Sequence, residues 1–583
     1  MEKLSDNFMG NYLINNATYN PDFDFAVYGN ERETWKKMNE RVNKLAQALI
    51  DRGVKKEDKV LLMFHNCPRF LETNYAIQKC GAIPVPVNYR FTPPEIEFQA
   101  NHSDAQVFVL EDIWLDSVQK ARAKLKKVKY YICSGSECPS DMDSYEKIME
   151  IYPPKEPHVP TDEDDVCVIC YTGGTTGFPK GVMLTYGAHL AMFEEFIVSI
   201  LLRMGQIPLS DEQIRKIKES TNLPGIGLIL SLLGTKPVKW LMARELTSDL
   251  LHRRVNKMLR DVKKLRKGFN HETAIMFPSF PLFHDASYQL SMLAPIVGNQ
   301  KFVLPDSVKL DPEKVFAHVE REKPNLMANV PTGWKMLIES PAIKKYDLSS
   351  VVFCASGAGL CPAELKKKIL AIFKGAIFLD LFGQTEMTPI TSFRMDSTSN
   401  SIKERSVGKP MVQTRIVDEN GKDVPAGQIG EIIYKSKTVM KGYYKDEEKT
   451  AQTIKDGWFY SGDLGYFDEN GEIRVVERKN ECITTGGEKV FPLEVEQVIS
   501  EHPDVKYVCV IGVPDETWGT SVCAVIQPKE GKKPTLEDIL AVCEGKLAGY
   551  KKPKSIVLAD DFPLSPVGKI LRNKVRELYG KPQ

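Results

Sequence analysis

Apolar positions in Arg41–Arg52 fall at Val42, Leu45, Leu49 and Ile50, the stripe of a helix with one buried face. The pattern then closes into an unbroken run, Val60-Leu-Leu-Met-Phe64, which predicts a strand covered on both faces. A helical stretch over Asn74–Cys80, strand-like Gly81–Pro86 and a further strand at Ala105–Leu110 continue the alternation. That rhythm predicts an α/β fold with largely parallel sheets. Another apolar strand, Asp165-Val-Cys-Val-Ile-Cys170, precedes helical material over about 187–204. Residues from about 205 to 269 break the rhythm. Ser210-Asp-Glu-Gln reads as a helix cap, Ile226–Leu233 is apolar, and Trp240–Lys267 is a long basic helical pattern. From Gln413 turn signals multiply, and Asp468-Glu-Asn-Gly471 joins two strand-like runs as a hairpin. Beyond Asn480 strands at Val505–Val513 and Val522–Gln527, a helix over Thr535–Ala548 and a last helix after Lys569 make a small α+β unit. The expected division is a large multi-subdomain domain, 1–479, and a small mobile domain, 480–583.

The chain has 583 residues, too many for one core. Its composition, 42% hydrophobic and 27% charged, is that of a soluble globular protein, and a net charge of +1 points to no nucleic-acid partner. No signal peptide, membrane span or peroxisomal address is visible, so twelve cysteines without a framework predict reduced thiols in the cytoplasm. Cys167 and Cys170 form a lone Cys-x-x-Cys inside an apolar strand and read as core thiols. Oligomeric state is not legible.

The candidate chemistry centres on Tyr171-Thr-Gly-Gly-Thr-Thr-Gly-Phe-Pro-Lys-Gly-Val182. Glycines let backbone N–H groups turn toward an anion, threonine hydroxyls add donors, and Lys180 adds a charge; such a loop suits a polyphosphate. It is not a Walker loop, because Pro179 precedes Lys180 and Gly181 follows it. The run resembles the phosphate loop of the adenylate-forming superfamily, with Gly174 where that family usually has serine. The resemblance extends, in order, through Pro281-Leu-Phe-His284, Ser356-Gly-Ala-Gly-Leu360, Leu381-Phe-Gly-Gln-Thr-Glu386, Asp456–Asp463, Arg478, Thr485-Gly-Gly-Glu-Lys489 and Pro563-Leu-Ser-Pro-Val-Gly-Lys569. It covers about Thr34–Leu571 except the 205–269 insert.

The resemblance implies a role for each block. Thr172, Gly173, Gly174, Thr175, Thr176 and Gly177 would hold ATP phosphates with Lys180. His284 would steer the substrate carboxylate. Gly357, Ala358, Phe382, Gly383, Gln384 and Thr385 would form the adenine and α-phosphate side. Glu386, joined by Thr175, would hold Mg²⁺. Asp463 and Arg478 would take the ribose, and Gly486 and Gly487 would line the path of coenzyme A. Asn480 would be the hinge and Lys569 a catalytic lysine. Tyr288 and Trp334 are candidates for lining an acyl pocket, each equally readable as core.

The implied reaction is acid activation by ATP to an acyl-adenylate, then transfer to the CoA thiol, with an apolar medium- or long-chain or bulky cyclic acid as substrate. Two alternatives carry different consequences: adenylation of an amino acid or other acid without CoA transfer, and a membrane-associated fatty-acid carrier. The insert reads either as a helical cap or as a basic surface against the inner face of the membrane.

Overall fold

A computed structural model describes residues 6–172, 179–204, 206–221, 235, 245–260, 273–297, 300–359, 361–485, 488–565 and 568–580. The chain divides into two compact units, Met1–Glu404 with Ser436–Gln452, and Arg405–Lys435 with Thr453–Gln583.

The first unit realises the α/β rhythm. Five parallel strands run in the order Ile83–Pro86, Lys59–Met63, Val107–Glu111, Tyr130–Ser134 and Asp143–Ser144. Helix Trp35–Asp51 starts at Thr34, whose hydroxyl accepts the Lys37 N–H, and turns Trp35, Met38, Val42, Leu45 and Leu49 inward. An eight-stranded sheet follows the order Ile390–Asp396, Ile377–Gly383, Phe353–Ser356, Leu326–Asn329, Thr273–Met276, Gln300–Leu304, Asp24–Tyr28 and Glu31–Thr34. Its middle is parallel and its two outermost pairs are antiparallel. The carboxyl ends of its adjacent parallel strands therefore open along one edge, where α/β sheets place ligands. A small antiparallel sheet joins Val166–Thr172, Lys180–Thr185 and Gly442–Tyr443.

The insert holds helices Asp211–Thr221 and Glu245–Arg260; its apolar segment Ile226–Leu233 lies outside the described residues. The expected cap is present: the Ser210 hydroxyl accepts the Gln213 N–H, and the Gln213 side chain accepts the Ser210 N–H. The second helix packs against Tyr186–Met204. Arg260 meets Glu163 through two bonds of 2.7 and 2.8 Å, so part of the expected basic surface is neutralised within the fold, while Arg253, Arg254 and Lys257 face outward. Among the described residues no helix is long and apolar enough to cross a membrane.

The second unit opens with an antiparallel sheet of Gln413–Val417, Gly430–Lys435, Trp458–Phe467 and Ile454–Lys455, and the expected hairpin partner Ile473–Arg478 pairs with Trp458–Phe467. Asn480 lies in the turn after that hairpin, inside this unit. Strands Val505–Asp515, Gly519–Pro528 and Ser555–Leu558 form a further sheet. Alternation sorts its residues by face. Val508 and Val510 pack toward helices Pro492–Ile499 and Leu536–Cys543, while Cys509 and Ile511 pack toward helix Arg572–Tyr579.

One cysteine expectation needs correction. Cys133 and Cys138 form a disulfide, because the chain reverses at Gly135 (φ +131°) and returns Cys138 to the end of strand Tyr130–Ser134. The ten other cysteines are free, Cys167 and Cys170 among them and buried. His65, Cys67 and Glu111 lie close enough to share a metal. Both His65 ring nitrogens already have partners, however, Glu111 at 2.7 Å and Tyr28 at 2.8 Å, so the group is satisfied as it stands.

A buried charge cluster in the first unit sets a pH dependence. Glu72 has no exposed surface; burial alone would raise its carboxyl, but Arg69 and Arg41, each 3.0 Å away, hold it down to about 2. Burial and the neighbouring Glu72 push Glu33 up to about 8. The folded protein therefore keeps a proton on Glu33 that the unfolded chain releases above its ordinary 4.5. This contribution is complete at low pH and is lost as pH rises toward 8. Glu33→Gln is expected to remove that decline, so its Tm relative to the parent should rise between pH 5 and pH 8. Parallel melting curves across that range would contradict the assignment.

Candidate active site

Three of the candidate blocks gather on the carboxyl edge of the eight-stranded sheet for a topological reason. Strands Thr273–Met276, Leu326–Asn329, Phe353–Ser356 and Ile377–Gly383 are consecutive and parallel, so the segments leaving their carboxyl ends emerge on the same side. After the first comes Phe277–His284, after the third Gly357–Gly359, and after the fourth Gln384–Glu386. Phe382 and Gly383 are the last residues of their strand. A side chain at Gly383 would collide with the Pro389 carbonyl, which explains the glycine. Ala358 sits at φ +62°, where a Cβ is strained, a feature common where backbone is shaped for a ligand.

Two blocks come close to each other at Asp285. His284 Nδ1 lies 2.6 Å from the carboxylate of Asp285, the first residue of helix Asp285–Val297. Burial would raise the Asp285 carboxyl, but the His284 imidazole and the Thr385 hydroxyl hold it below its ordinary value. Asp285 thus stands between His284 and Thr385, within electrostatic reach of both. Sequence reasoning missed this role of Asp285, because a carboxylate after a histidine has no diagnostic spacing.

Thr172 stands opposite Lys180 in the pairing of their strands, so the phosphate-loop run closes an antiparallel hairpin rather than leading into a helix. Gly173, Gly174, Thr175, Thr176 and Gly177 lie outside the described residues, as do Gly486 and Gly487. Tyr443 was not foreseen. Its hydroxyl donates to Glu386 Oε1 at 2.9 Å, and Lys180 Nζ lies 5.3 Å from its ring centre. One aromatic residue therefore holds the lysine and the glutamate in a single neighbourhood. It reaches them from the strand Gly442–Tyr443, which pairs with Lys180–Thr185. No local motif marks it. The half-buried Glu386 carboxylate is a hard oxygen donor of the kind Mg²⁺ takes.

The acyl-pocket candidates are both packed inside. Tyr288 is fully buried, and its hydroxyl donates to Asn74 at 2.6 Å and accepts from Gln78 at 3.1 Å. Trp334 is fully buried against Phe373, with its indole N–H on the Ala355 carbonyl at 2.9 Å. Trp334→Ala is expected to destabilise the protein by about 3–5 kcal/mol in urea unfolding. Unchanged stability with an altered acid preference would instead show a pocket wall.

In the second unit Asp463 and Arg478 are cross-strand partners, Oδ1 to Nε 2.9 Å. Burial raises the Asp463 carboxyl against the opposing pull of Arg478 and Lys569. Lys569 ends a tight turn in which Ser565 and Lys569 exchange hydrogen bonds and Gly568 takes φ +72°. The residue is exposed, and desolvation of its ammonium and the nearby Arg478 lower its pKa against the pull of Glu481 and Asp463.

Comparison with known proteins identifies the arrangement. Residues 13–210 and 250–444 match the family model of the AMP-binding enzymes, and 494–569 match that of the AMP-binding enzyme C-terminal domain. The break in the first match falls within the insert. A feruloyl-CoA synthase of Amycolatopsis sp. is 30% identical over 98% of this chain and 99% of its own. A medium/long-chain-fatty-acid–CoA/3-oxocholest-4-en-26-oate–CoA ligase of Mycolicibacterium smegmatis is 31% identical over 94% and 92%. The crystal structure of the anthranilate CoA ligase AuaEII with anthranoyl-AMP shares the fold at a TM-score of 0.76, with 23% identity over 99% and 98% of the two chains. The chain belongs to the AMP-binding enzymes, the ATP-, Mg²⁺- and CoA-dependent acid–thiol ligases, and carries both of that family's domains.

Proposed function

We propose that this enzyme activates an apolar carboxylic acid, either a medium- to long-chain fatty acid or a bulky cyclic one, and delivers it to CoA. The carrying observation is the placement of Asp285 beside His284 and within reach of Thr385, one residue before Glu386. It sets a carboxylate-steering group beside a cation ligand.

In the first step the acid's carboxylate oxygen attacks the α-phosphorus of ATP, the bond to the β-phosphate oxygen breaks, and pyrophosphate leaves. In the first unit, Lys180 and the loop from Thr172 meet the phosphate charge, and Glu386 would hold Mg²⁺, which neutralises phosphate oxygens when bound. His284, oriented by Asp285, directs the incoming carboxylate. In the second unit, Asp463 accepts the ribose hydroxyls, Arg478 fixes Asp463, and Lys569 offsets charge at the reacting phosphate. Such transfers depend on positioning and electrostatics. In the second step the CoA sulfur attacks the acyl carbonyl and AMP leaves. The segment beyond Asn480 turns between the steps, withdrawing Lys569 and presenting Gly486 and Gly487.

The family names of the relatives span aromatic, sterol-like and fatty acids, so the acid is read from chemistry rather than from likeness. A panel from acetate through long-chain, aromatic and cyclic carboxylates, with pyrophosphate release followed with and without CoA, tests the reading. Turnover of apolar acids with CoA-dependent thioester formation is expected. Activity confined to amino acids, or adenylate that never passes to CoA, points to the CoA-independent alternative. No turnover with any acid would favour a carrier. We place the enzyme in the cytoplasm, with Arg253, Arg254 and Lys257 of the insert available to an anionic surface.

A further inference from the structure

The segment carrying Lys569 is held by an ion cluster that spans the proposed hinge. Arg572, three residues past Lys569 and 10% exposed, pairs with Glu481 and, at 2.8 Å, with Glu496, both beyond Asn480. Its third partner, Glu477 at 3.6 Å, lies before Asn480 on strand Ile473–Arg478 and is 2% exposed. Glu477 also accepts the Leu493 N–H at 2.9 Å, at the start of helix Pro492–Ile499. From the same pre-hinge side, Arg405 donates to the Leu493 carbonyl at 3.2 Å and to the Gln497 side chain at 2.6 Å. One residue of the post-hinge helix thus has its N–H and its carbonyl gripped by two pre-hinge side chains.

The two sets of bonds differ in what a rotation about Asn480 would cost. Arg572 keeps Glu481 and Glu496 throughout, because all three move together, so turning the segment never leaves a buried guanidinium unpaired, the expensive outcome. Among the described residues, Glu477 and Arg405 lose buried or half-buried partners across the hinge, the exposed Lys489–Glu419 pair at 3.8 Å also parts, and a rotation that exposes these groups lets water replace what they lose.

We infer that Glu477 and Arg405 form a releasable latch that holds the segment where Lys569 stands beside Asp463 and Arg478, so that these two positioning residues set the partition between acid activation and transfer to CoA. The inference rests on the two-step reading above.

The test measures the half-reactions separately in the full-length enzyme, pyrophosphate–ATP exchange for activation and consumption of supplied acyl-AMP with CoA for transfer. Arg405→Met is expected to lower exchange about tenfold, the effect of losing one charged hydrogen bond, and to leave transfer unchanged or faster. Glu477→Gln, which keeps an acceptor for Leu493 and loses the charge facing Arg572, should shift the ratio in the same direction. Arg405→Lys should restore part of it. Parallel loss of both half-reactions, or no change in either, overturns the latch. A parent enzyme that exchanges no pyrophosphate with any acid overturns the two-step reading instead.

Discussion

Lys569→Ala is expected to lower pyrophosphate–ATP exchange by about 10²–10³-fold, the usual cost of removing one group that stabilises developing charge, while leaving conversion of supplied acyl-AMP to acyl-CoA near the parent rate. The reason lies in where the lysine sits. Its turn is built from mutual Ser565–Lys569 hydrogen bonds and a left-handed Gly568, so truncating the exposed side chain leaves the backbone intact. Its ammonium stands beside Asp463 and Arg478, the proposed nucleotide residues of the same unit. The pH dependence carries a sign. Desolvation and Arg478 lower the lysine's pKa, so the charge that activation needs is lost below the usual lysine range. Exchange in the parent should fall on that alkaline limb, and Lys569→Arg should move the limb upward. Equal loss of both half-reactions in Lys569→Ala would refute the division of labour.

Glu386→Gln should produce a loss of similar size, about 10²–10³-fold in exchange, with a raised Mg²⁺ requirement. Glutamine still accepts the Tyr443 hydroxyl, and the Glu386 backbone carbonyl still accepts the Met440 N–H, so the turn should persist and Tm should hold. The substitution therefore isolates the charge. A Mg²⁺ titration of exchange checks it, and a variant with an unchanged Mg²⁺ midpoint would remove Glu386 from the cation.

The α/β class and the order of elements were legible because both sheets of parallel strands are covered on two faces. Runs such as Val60–Met63 carry no polar interruption, and the helix over Trp35–Asp51 keeps its stripe. The order of three blocks, Phe277–His284, Gly357–Gly359 and Gln384–Glu386, was legible for the same reason, since each comes after a strand of one sheet. The contacts that join the blocks were not. Asp285, Tyr443, Glu477 and Arg405 act through partners far away in the chain, and no local spacing encodes a pairing such as Tyr443 with Glu386. Tyr288 and Trp334 show the reverse limit, because an aromatic residue looks the same in sequence whether it lines a pocket or packs in a core. The Cys133–Cys138 pair was hidden because a bridge over five residues depends on the reversal at Gly135 rather than on any framework of spacings.

The central claim is that ATP and a carboxylic acid react directly here to give an acyl-adenylate. Exchange of labelled pyrophosphate into ATP, measured on the purified enzyme with Mg²⁺ and a series of carboxylic acids but no CoA, tests it most directly. The account predicts acid-dependent exchange that disappears without Mg²⁺; label that never enters ATP with any acid would contradict it.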